Sequence, residues 1–259
     1  MHSLSSCQNK PRRGTGMTMA DGQTQVALLA GASGLTGGHV LDMLLGASDF
    51  SRVIAVTRRP LQREHARLAN RIVQFDRLET QLQGTVCDVA LCCLGSTRAR
   101  AGSRDSFREV DVDYVVSFAR AALAARAQRF VVVSSAGANP KSRNFYLRTK
   151  GEMEEELESL GFEALDILQP GLLMGWRHEM RPLELMAMAL TPLSNLLMTG
   201  NRIVYRGISA RTVAAAVVGA SRAGRKGVQR YTYAGIQQLA RLTSRAPAAA
   251  PPRKPARAR

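Results

Sequence analysis

Short apolar runs alternate with segments of helical or polar character along most of the chain. Six runs predict strands: Gln25–Ala30, Arg52–Thr57, Arg71–Phe75, Asp88–Leu94, Arg129–Ser134 and Ala164–Leu168. The segments between them predict helices at Val40–Leu45, Leu61–Asn70, Phe107–Arg126 and Tyr146–Leu160, the last closed by Gly161. Regular alternation of this kind predicts an α/β fold, a Rossmann-like doubly wound parallel sheet with helices on both faces.

The pattern changes after Pro170, where we expect a small C-terminal substrate lobe. Leu183–Met198 is rich in Leu and Met. It lines or covers a substrate pocket, packs in the core, or makes a dimer or membrane-surface contact. The remaining predicted elements are a helix at Ala210–Ala223, a strand at Val228–Tyr233 and a helix at Ile236–Leu242. The predicted organisation is a flexible extension over 1–24, one domain over 25–243 and a disordered Pro/Ala/Arg tail over 244–259.

Composition fits a globular chain with a basic surface. The 259 residues are 45% hydrophobic and 22% charged, which is enough apolar content for a sizeable core. The net charge is +16, of which residues 1–24 carry +2 and residues 241–259 carry +6. Basic ends of this kind favour solvated disorder over nucleic-acid binding, because no aromatic residues are interleaved for base stacking. A basic core suits an anionic ligand.

The cysteine and hydropathy patterns indicate in which cellular compartment we expect the protein. Cys7, Cys87, Cys92 and Cys93 lack CxxC spacing and the histidines are scattered, so we expect no metal site. Unpaired, mostly buried thiols fit a reducing cytoplasm. We also expect no membrane span, since the apolar windows are interrupted, and no secretory signal at the N-terminus.

A glycine-rich turn follows the first predicted strand and opens a helix. It reads Gly31-Ala32-Ser33-Gly34-Leu35-Thr36-Gly37, a G-x-x-G-x-x-G spacing. Glycines permit a tight turn and a close approach to a pyrophosphate, while the helix N-terminus offers free N–H groups and a positive dipole. The sequence therefore predicts a dinucleotide cofactor.

The residues after the second strand distinguish between the two nicotinamide cofactors. An acidic residue there would bind the ribose 2′-hydroxyl of NAD, but this chain has Arg58 and Arg59. Arginines pair with the 2′-phosphate of NADP. We therefore predict that the cofactor is NADP(H). The alternative is that the two arginines are a basic pair on the protein surface.

Tyr146 and Lys150 are the candidates for proton transfer. Four residues apart at the start of a helix, they share one face, so Lys150 can favour the phenolate of Tyr146. Ser135 precedes them at the carboxyl edge of the fifth strand, where α/β proteins bind ligands. We expect the hydroxyl of its neighbour Ser134 to cap the backbone.

Taken together, these segments resemble the atypical short-chain dehydrogenase/reductase superfamily, and more narrowly the Tat-interacting-protein-type oxidoreductases and their bacterial relatives. The similarity spans residues 25 to about 220. The matching segments are GASGLTG, Thr57-Arg58-Arg59, Leu94-Gly95-Ser96-Thr97-Arg98 with Ala101-Gly102, Val110-Asp111, SSAGANPKSRNFYLRTKGEMEEEL, Gln169-Pro170-Gly171-Leu172-Leu173 and Arg177-His178-Glu179-Met180-Arg181. Gln169 departs from the pattern, since relatives usually have Arg before Pro-Gly, which puts the local charge pairing in question.

The resemblance implies a role for each matching position. The residues expected to line the cofactor are Ser33, Gly34, Leu35 and Thr36 at the phosphates, Arg58 and Arg59 at the adenosine phosphate, and Leu94 and Gly95 along the ribose and nicotinamide. Tyr146 would transfer the proton and Lys150 would bind the nicotinamide ribose. Leu173 and Arg181 would close the site from the far side.

The function that the resemblance implies is an NADP(H)-dependent oxidoreductase acting on a small carbonyl or alcohol, with Ser135 orienting the carbonyl oxygen. Epimerase or dehydratase chemistry by the same residues remains open. The alternative class is a regulator that binds NADPH and a protein partner with little or no turnover. Substrate identity and the choice between monomer and homodimer stay open.

Overall fold

Seven parallel strands form the central sheet of this computed structural model, which describes residues 24–95, 102–174 and 204–244. Their bounds are β1 Gln25–Ala30, β2 Phe50–Thr57, β3 Leu68–Ile72, β4 Val89–Cys92, β5 Arg129–Val133, β6 Ala164–Leu168 and, last in the chain, β9 Gly227–Tyr231. The strand order is β3-β2-β1-β4-β5-β6-β9, and every neighbouring pair is parallel. Two short strands, β7 Leu173–Met174 and β8 Ile208–Ser209, pair separately. The predicted Rossmann-like fold is confirmed.

Helices cover both faces of the sheet. They are α1 Leu35–Gly46, α2 Leu78–Gln81, α3 Arg104–Arg108, α4 Tyr114–Ala124, α5 Phe145–Ser159, α6 Ala210–Ser221 and α7 Tyr233–Ser244. Along β1, Leu28 and Ala30 join one buried cluster with α4 and α5, whereas Ala27 and Leu29 join the other with α1, α6 and α7. Because both faces are buried, the inner strands are continuous apolar runs without polar alternation.

The prediction of a helix over Leu61–Asn70 is wrong. That segment is irregular until β3, which begins at Leu68 and ends at Ile72, earlier than the predicted Arg71–Phe75. β3 is an edge strand that is half-buried or exposed throughout, so its sequence LANRI lacks the apolar run of a covered strand. Polar side chains fix it instead: Asn70 donates from Nδ2 to Thr57 Oγ1 at 2.7 Å and accepts from the Leu61 amide at 2.8 Å.

The predicted helix over Phe107–Arg126 is interrupted. A π-helical turn over Glu109–Asp113 separates α3 from α4. The last strand and helix form as predicted, with shifted ends. Within the described ranges, no helix combines the length and the apolar character that crossing a bilayer requires. Leu183–Met198 and both chain ends lie outside those ranges, so the predicted domain limits stay a prediction.

Candidate active site

The glycine-rich turn brings the start of α1 against the end of β4. Gly31 has φ +84°, and a Cβ built on it would lie 2.5 Å from the Cys93 carbonyl oxygen and 2.9 Å from the Leu94 nitrogen. A Cβ on Gly37 would lie 2.0 Å from the Gly31 carbonyl oxygen. A side chain at Gly31 would push the ends of β1 and β4 apart, and one at Gly37 would push α1 away from the turn, so the sequence needs glycine at both.

The N-terminus of α1 is suited to an anion. Gly34 is its N-cap, no described side chain caps it, and its first turn contains no acidic residue. Ser33 is exposed, Leu35 is half-buried and Thr36 is buried. Unpaired N–H groups and a positive dipole favour phosphate here, so these residues fit the pyrophosphate of a dinucleotide.

Arg58 and Arg59 are both exposed directly after β2. The loop that carries them is braced by Asn70, whose side chain holds Thr57 before the pair and Leu61 after it. The hydrogen bond to Glu109 is the main cause that raises the pKa of the Tyr114 phenol. The positive charge of Arg58 opposes this rise, so Arg58 lies close to Tyr114. The sequence analysis did not predict that Asn70 braces this loop. The one signal in the sequence was a lone amide in a polar segment.

Lys150 and Asp111 form a buried ion pair at the centre of the site. Lys150 Nζ lies 2.7 Å from Asp111 Oδ1, with side-chain exposures of 5% and 0%. Burial works to lower the pKa of Lys150, but the charges of Asp111 and Tyr146 outweigh it, and the pKa is raised. Lys150 therefore stays protonated one helical turn from Tyr146.

Sequence reasoning did not nominate Asp111 as a site residue, although it lies in a matching segment. It sits four residues after Phe107, on the buried face of the predicted helix. A carboxylate on such a face requires a cationic partner. In the structure it lies in the π-helical turn, a local irregularity common at functional sites.

Gly95 joins the cofactor turn to this ion pair. A Cβ on Gly95 would lie 3.6 Å from Asp111 Oδ1 and 3.8 Å from Lys150 Nζ. The segment Cys93–Gly95 thus packs against Gly31 at one end and lies beside the ion pair at the other. The structure brings the predicted cofactor turn and the predicted proton-transfer helix to one sheet edge.

The turn after β5 fixes Ser135 against α5. The Asn139 amide donates to the Leu147 carbonyl at 3.0 Å, and a Cβ on Gly151 would lie 2.2 Å from the Pro140 nitrogen. Ser135 is half-buried, and its hydroxyl makes a long contact of 3.4 Å with the Ala136 carbonyl. So weak a contact leaves the hydroxyl ready for a stronger partner.

The prediction that Ser134 caps the backbone is wrong. Its hydroxyl donates to the buried carboxylate of Glu154. Gln169 Nε2 lies 3.0 Å from both oxygens of that carboxylate, and Arg230 Nε lies 3.3 Å from one. Relatives usually have an arginine at the position of Gln169. Here Arg230 on β9 supplies the positive charge beside the Glu154 carboxylate instead.

The far side of the predicted site is described only in part. Leu173 is half-buried in β7, and the Ala136 amide donates to the Pro170 carbonyl at 2.8 Å, which joins this turn to that of Ser135. Arg181 and residues 96–101 lie outside the described ranges.

A family model described as NAD(P)H-binding matches residues 31–220, from the glycine-rich turn to the end of α6. The chain belongs to the NAD(P)H-binding family. This membership confirms the cofactor class that the turn predicts, while the choice between NAD and NADP stays open.

Two relatives bear out the narrower resemblance. Protein HTATIP2 of Rattus norvegicus is 40% identical over 171 residues, which are 64% of this chain and 69% of that protein. The mitochondrial protein fmp52 of Emericella nidulans is 34% identical over 166 residues, covering 61% of this chain and 71% of that protein.

Solved structures share the fold at low identity. MoeE5, in complex with UDP-glucose and NAD, has a TM-score of 0.57 and 18% identity, covering 84% of this chain and 82% of its own. The human epimerase family protein SDR39U1, with NADPH, has a TM-score of 0.55 and 15% identity, covering 80% and 74%. Proteins of this architecture thus occur with either cofactor.

Proposed function

We propose that this NAD(P)H-binding protein is an NADP(H)-dependent oxidoreductase that interconverts a small carbonyl compound and its alcohol. The observation that carries the proposal is the position of Cys93–Gly95 between Gly31 of the cofactor turn and the Lys150–Asp111 ion pair. A nicotinamide cofactor held at the turn would extend toward the helix that bears Tyr146.

Each residue has a distinct part in the proposed reaction. When bound, the cofactor supplies or accepts the hydride. Tyr146 protonates the alkoxide oxygen that develops during reduction, and the positive charge of Lys150 stabilises the phenolate left behind. Ser135 donates a hydrogen bond to the same oxygen and orients the carbonyl. In the reverse direction the phenolate removes the alcohol proton.

Lys150 has a second proposed task, which is to bind the nicotinamide ribose. Asp111 holds its ammonium in place through one of three possible hydrogen bonds, so donors remain for the ribose and for Tyr146. Leu94 and Gly95 would pack along that ribose, and Leu173 and Arg181 would close the site.

The proposed preference for NADP(H) rests on Arg58 and Arg59. Charge-assisted hydrogen bonds to the 2′-phosphate should strengthen binding by about 1.5–3 kcal/mol, roughly tenfold to a hundredfold. Fluorescence titration with NADPH and NADH measures it directly. Equal affinities for the two cofactors would sink the preference.

A matched pair of variants sharpens that titration. Arg58→Ala/Arg59→Ala should lose NADPH affinity and keep NADH affinity. Arg52→Ala, which removes an exposed arginine on the preceding strand β2, should change neither. Loss of both affinities in the double variant would point to a damaged loop instead of a lost phosphate contact.

The test of turnover is NADPH consumption across a panel of carbonyl compounds. The oxidoreductase proposal expects at least one compound to be reduced. A chain that binds NADPH tightly, gains thermal stability from it and reduces nothing would instead be a cofactor-dependent regulator.

We further propose a cytoplasmic location, supported by the unpaired thiols of Cys87, Cys92 and Cys93. Cell fractionation tests it. Recovery in the mitochondrial fraction, as the name of the fmp52 relatives would suggest for those proteins, would overturn it.

A further inference from the structure

Tyr205 lies beside the proposed proton-transfer residues without being one of them. A Cβ built on Gly137 would lie 3.2 Å from Tyr205 Oη and 3.5 Å from its Cε1, and 3.6 Å from Leu147 Cδ1. Gly137 comes two residues after Ser135, and Leu147 directly follows Tyr146. The phenol of Tyr205 therefore covers the turn between the two residues proposed to hold the reacting oxygen.

Close backbone packing holds Tyr205 there. A Cβ on Gly171 would lie 2.5 Å from the Arg206 carbonyl oxygen and 2.7 Å from the Tyr205 carbonyl carbon. The Ile208 amide donates to the Leu172 carbonyl at 2.9 Å, which starts the pairing of β7 with β8. Gly137, at φ +81°, leaves the space that the ring occupies.

Tyr205 is nevertheless only partly buried. The residue is 49% exposed, and its hydroxyl has no hydrogen-bond partner among the described residues. An anchored and partly exposed phenol offers an apolar ring with one polar donor, the combination that fixes the orientation of a small ligand.

We propose that Tyr205 is a substrate-positioning residue, with its ring against the carbon skeleton of the substrate and its hydroxyl donating to a second oxygen. This inference rests on the proposed function, which sets the reacting carbonyl at Ser135 and Tyr146. It narrows the substrate class to carbonyl compounds that carry a second oxygen besides the reacting one.

The test compares two probes that differ in that second oxygen, 1,4-diacetylbenzene and acetophenone. Their affinities for the NADP⁺-loaded full chain are measured by calorimetry for wild type, Tyr205→Phe and Tyr233→Phe. Tyr233→Phe is the matched control, because it removes a half-buried phenol on α7.

Wild type and the control should bind the diketone about three- to tenfold more tightly than acetophenone, the usual worth of one neutral hydrogen bond. Tyr205→Phe should remove that preference and leave NADP⁺ affinity unchanged. A preference that survives Tyr205→Phe, or wild type that shows no preference or binds neither probe, would overturn the proposal.

The result of this experiment is measured independently of whether the protein is an oxidoreductase. Reduction of acetophenone with no role for Tyr205 would remove only the positioning residue. Failure of wild type to bind NADP(H) at all would remove both proposals.

Discussion

Lys150 carries a positive charge in the interior, and Asp111 is the residue that makes this possible. Two buried charges stabilise each other only as a pair, and removing one leaves the other without compensation. The carboxylate thus does two things: it keeps the ammonium charged and it fixes its position near Tyr146.

Asp111→Asn should lower the free energy of unfolding by about 3–5 kcal/mol, because it leaves the Lys150 ammonium buried without its counter-ion. Asp113→Asn is the matched control, since Asp113 lies exposed in the same π-helical turn. Urea unfolding measures both. A loss of equal size in the two variants would show that the turn, and not the ion pair, is sensitive.

The same comparison has a pH dependence of defined sign. The pKa of Lys150 in the folded protein is raised above the ordinary 10.5. The stabilisation that this charge provides is therefore fully present below about pH 10.5 and is lost as the pH rises through the folded value. The difference in stability between wild type and Asp111→Asn should shrink in strongly alkaline buffer, and a difference that stays constant there would contradict the pairing.

At the scale of elements, α5 is the part that positions the site. Asn144 caps it, accepting from the Leu147 amide, and Gly151 packs against the Asn139–Pro140 turn. One turn beyond Lys150, Glu154 binds side chains that follow β5 and β6 or belong to β9, namely Ser134, Gln169 and Arg230. The helix that bears Tyr146 is thereby tied to three neighbouring strands.

Gly151→Ala should be destabilising although alanine favours helices. A Cβ there would lie 2.2 Å from the Pro140 nitrogen and 2.3 Å from the Asn139 carbonyl carbon, so backbone must move, at a cost of about 1–3 kcal/mol. Gly46→Ala at the end of α1 is the control, because its Cβ would meet nothing within 4 Å. Thermal unfolding should show a gain of up to about 1 kcal/mol for Gly46→Ala. A gain for Gly151→Ala as well would refute the close contact.

The buried strands were predictable from their apolar runs, and the polar edge strand β3 was not. The buried strands β1, β4, β5 and β6 follow from their runs, because both of their faces are covered. β3 does not, since its position at the sheet edge is set by Asn70 and by pairing with β2. The ion pair of Asp111 and the network of Glu154 join segments distant in sequence, and no local pattern specifies which carboxylate meets which cation.

At the scale of the whole molecule, the helices α6 and α7 form a packed pair that covers one face of the sheet. A Cβ on Gly219 of α6 would lie 2.3 Å from the Leu239 carbonyl oxygen of α7, and Thr243 Oγ1 donates to the Ala215 carbonyl at 2.6 Å. Ile236 and Leu239 of α7 are buried in the core cluster. Within the described residues, α7 is therefore part of the core packing.

A chain of residues 24–244 should therefore melt within a few degrees of the full chain and bind NADPH equally well, since the removed ends are polar and poor in apolar residues. A chain of residues 24–232 lacks α7 and should be severely destabilised. Without Ile236 and Leu239, the core residues that pack against them become exposed to solvent. Differential scanning calorimetry measures both. A large loss in the 24–244 chain would show that one of the ends packs on the core.

In the proposed function, Tyr146 transfers the proton that accompanies hydride transfer at the carboxyl edge of the sheet. The most direct test is the turnover number of Tyr146→Phe with NADPH on a carbonyl compound that wild type reduces, with Tyr233→Phe as the matched loss of a phenol elsewhere. Tyr146→Phe removes one hydroxyl, so the fold and NADPH affinity should persist while turnover falls about 10²–10⁴-fold, the usual worth of a positioned general acid. Turnover at the wild-type rate in Tyr146→Phe would contradict the proposed role of Tyr146 in proton transfer.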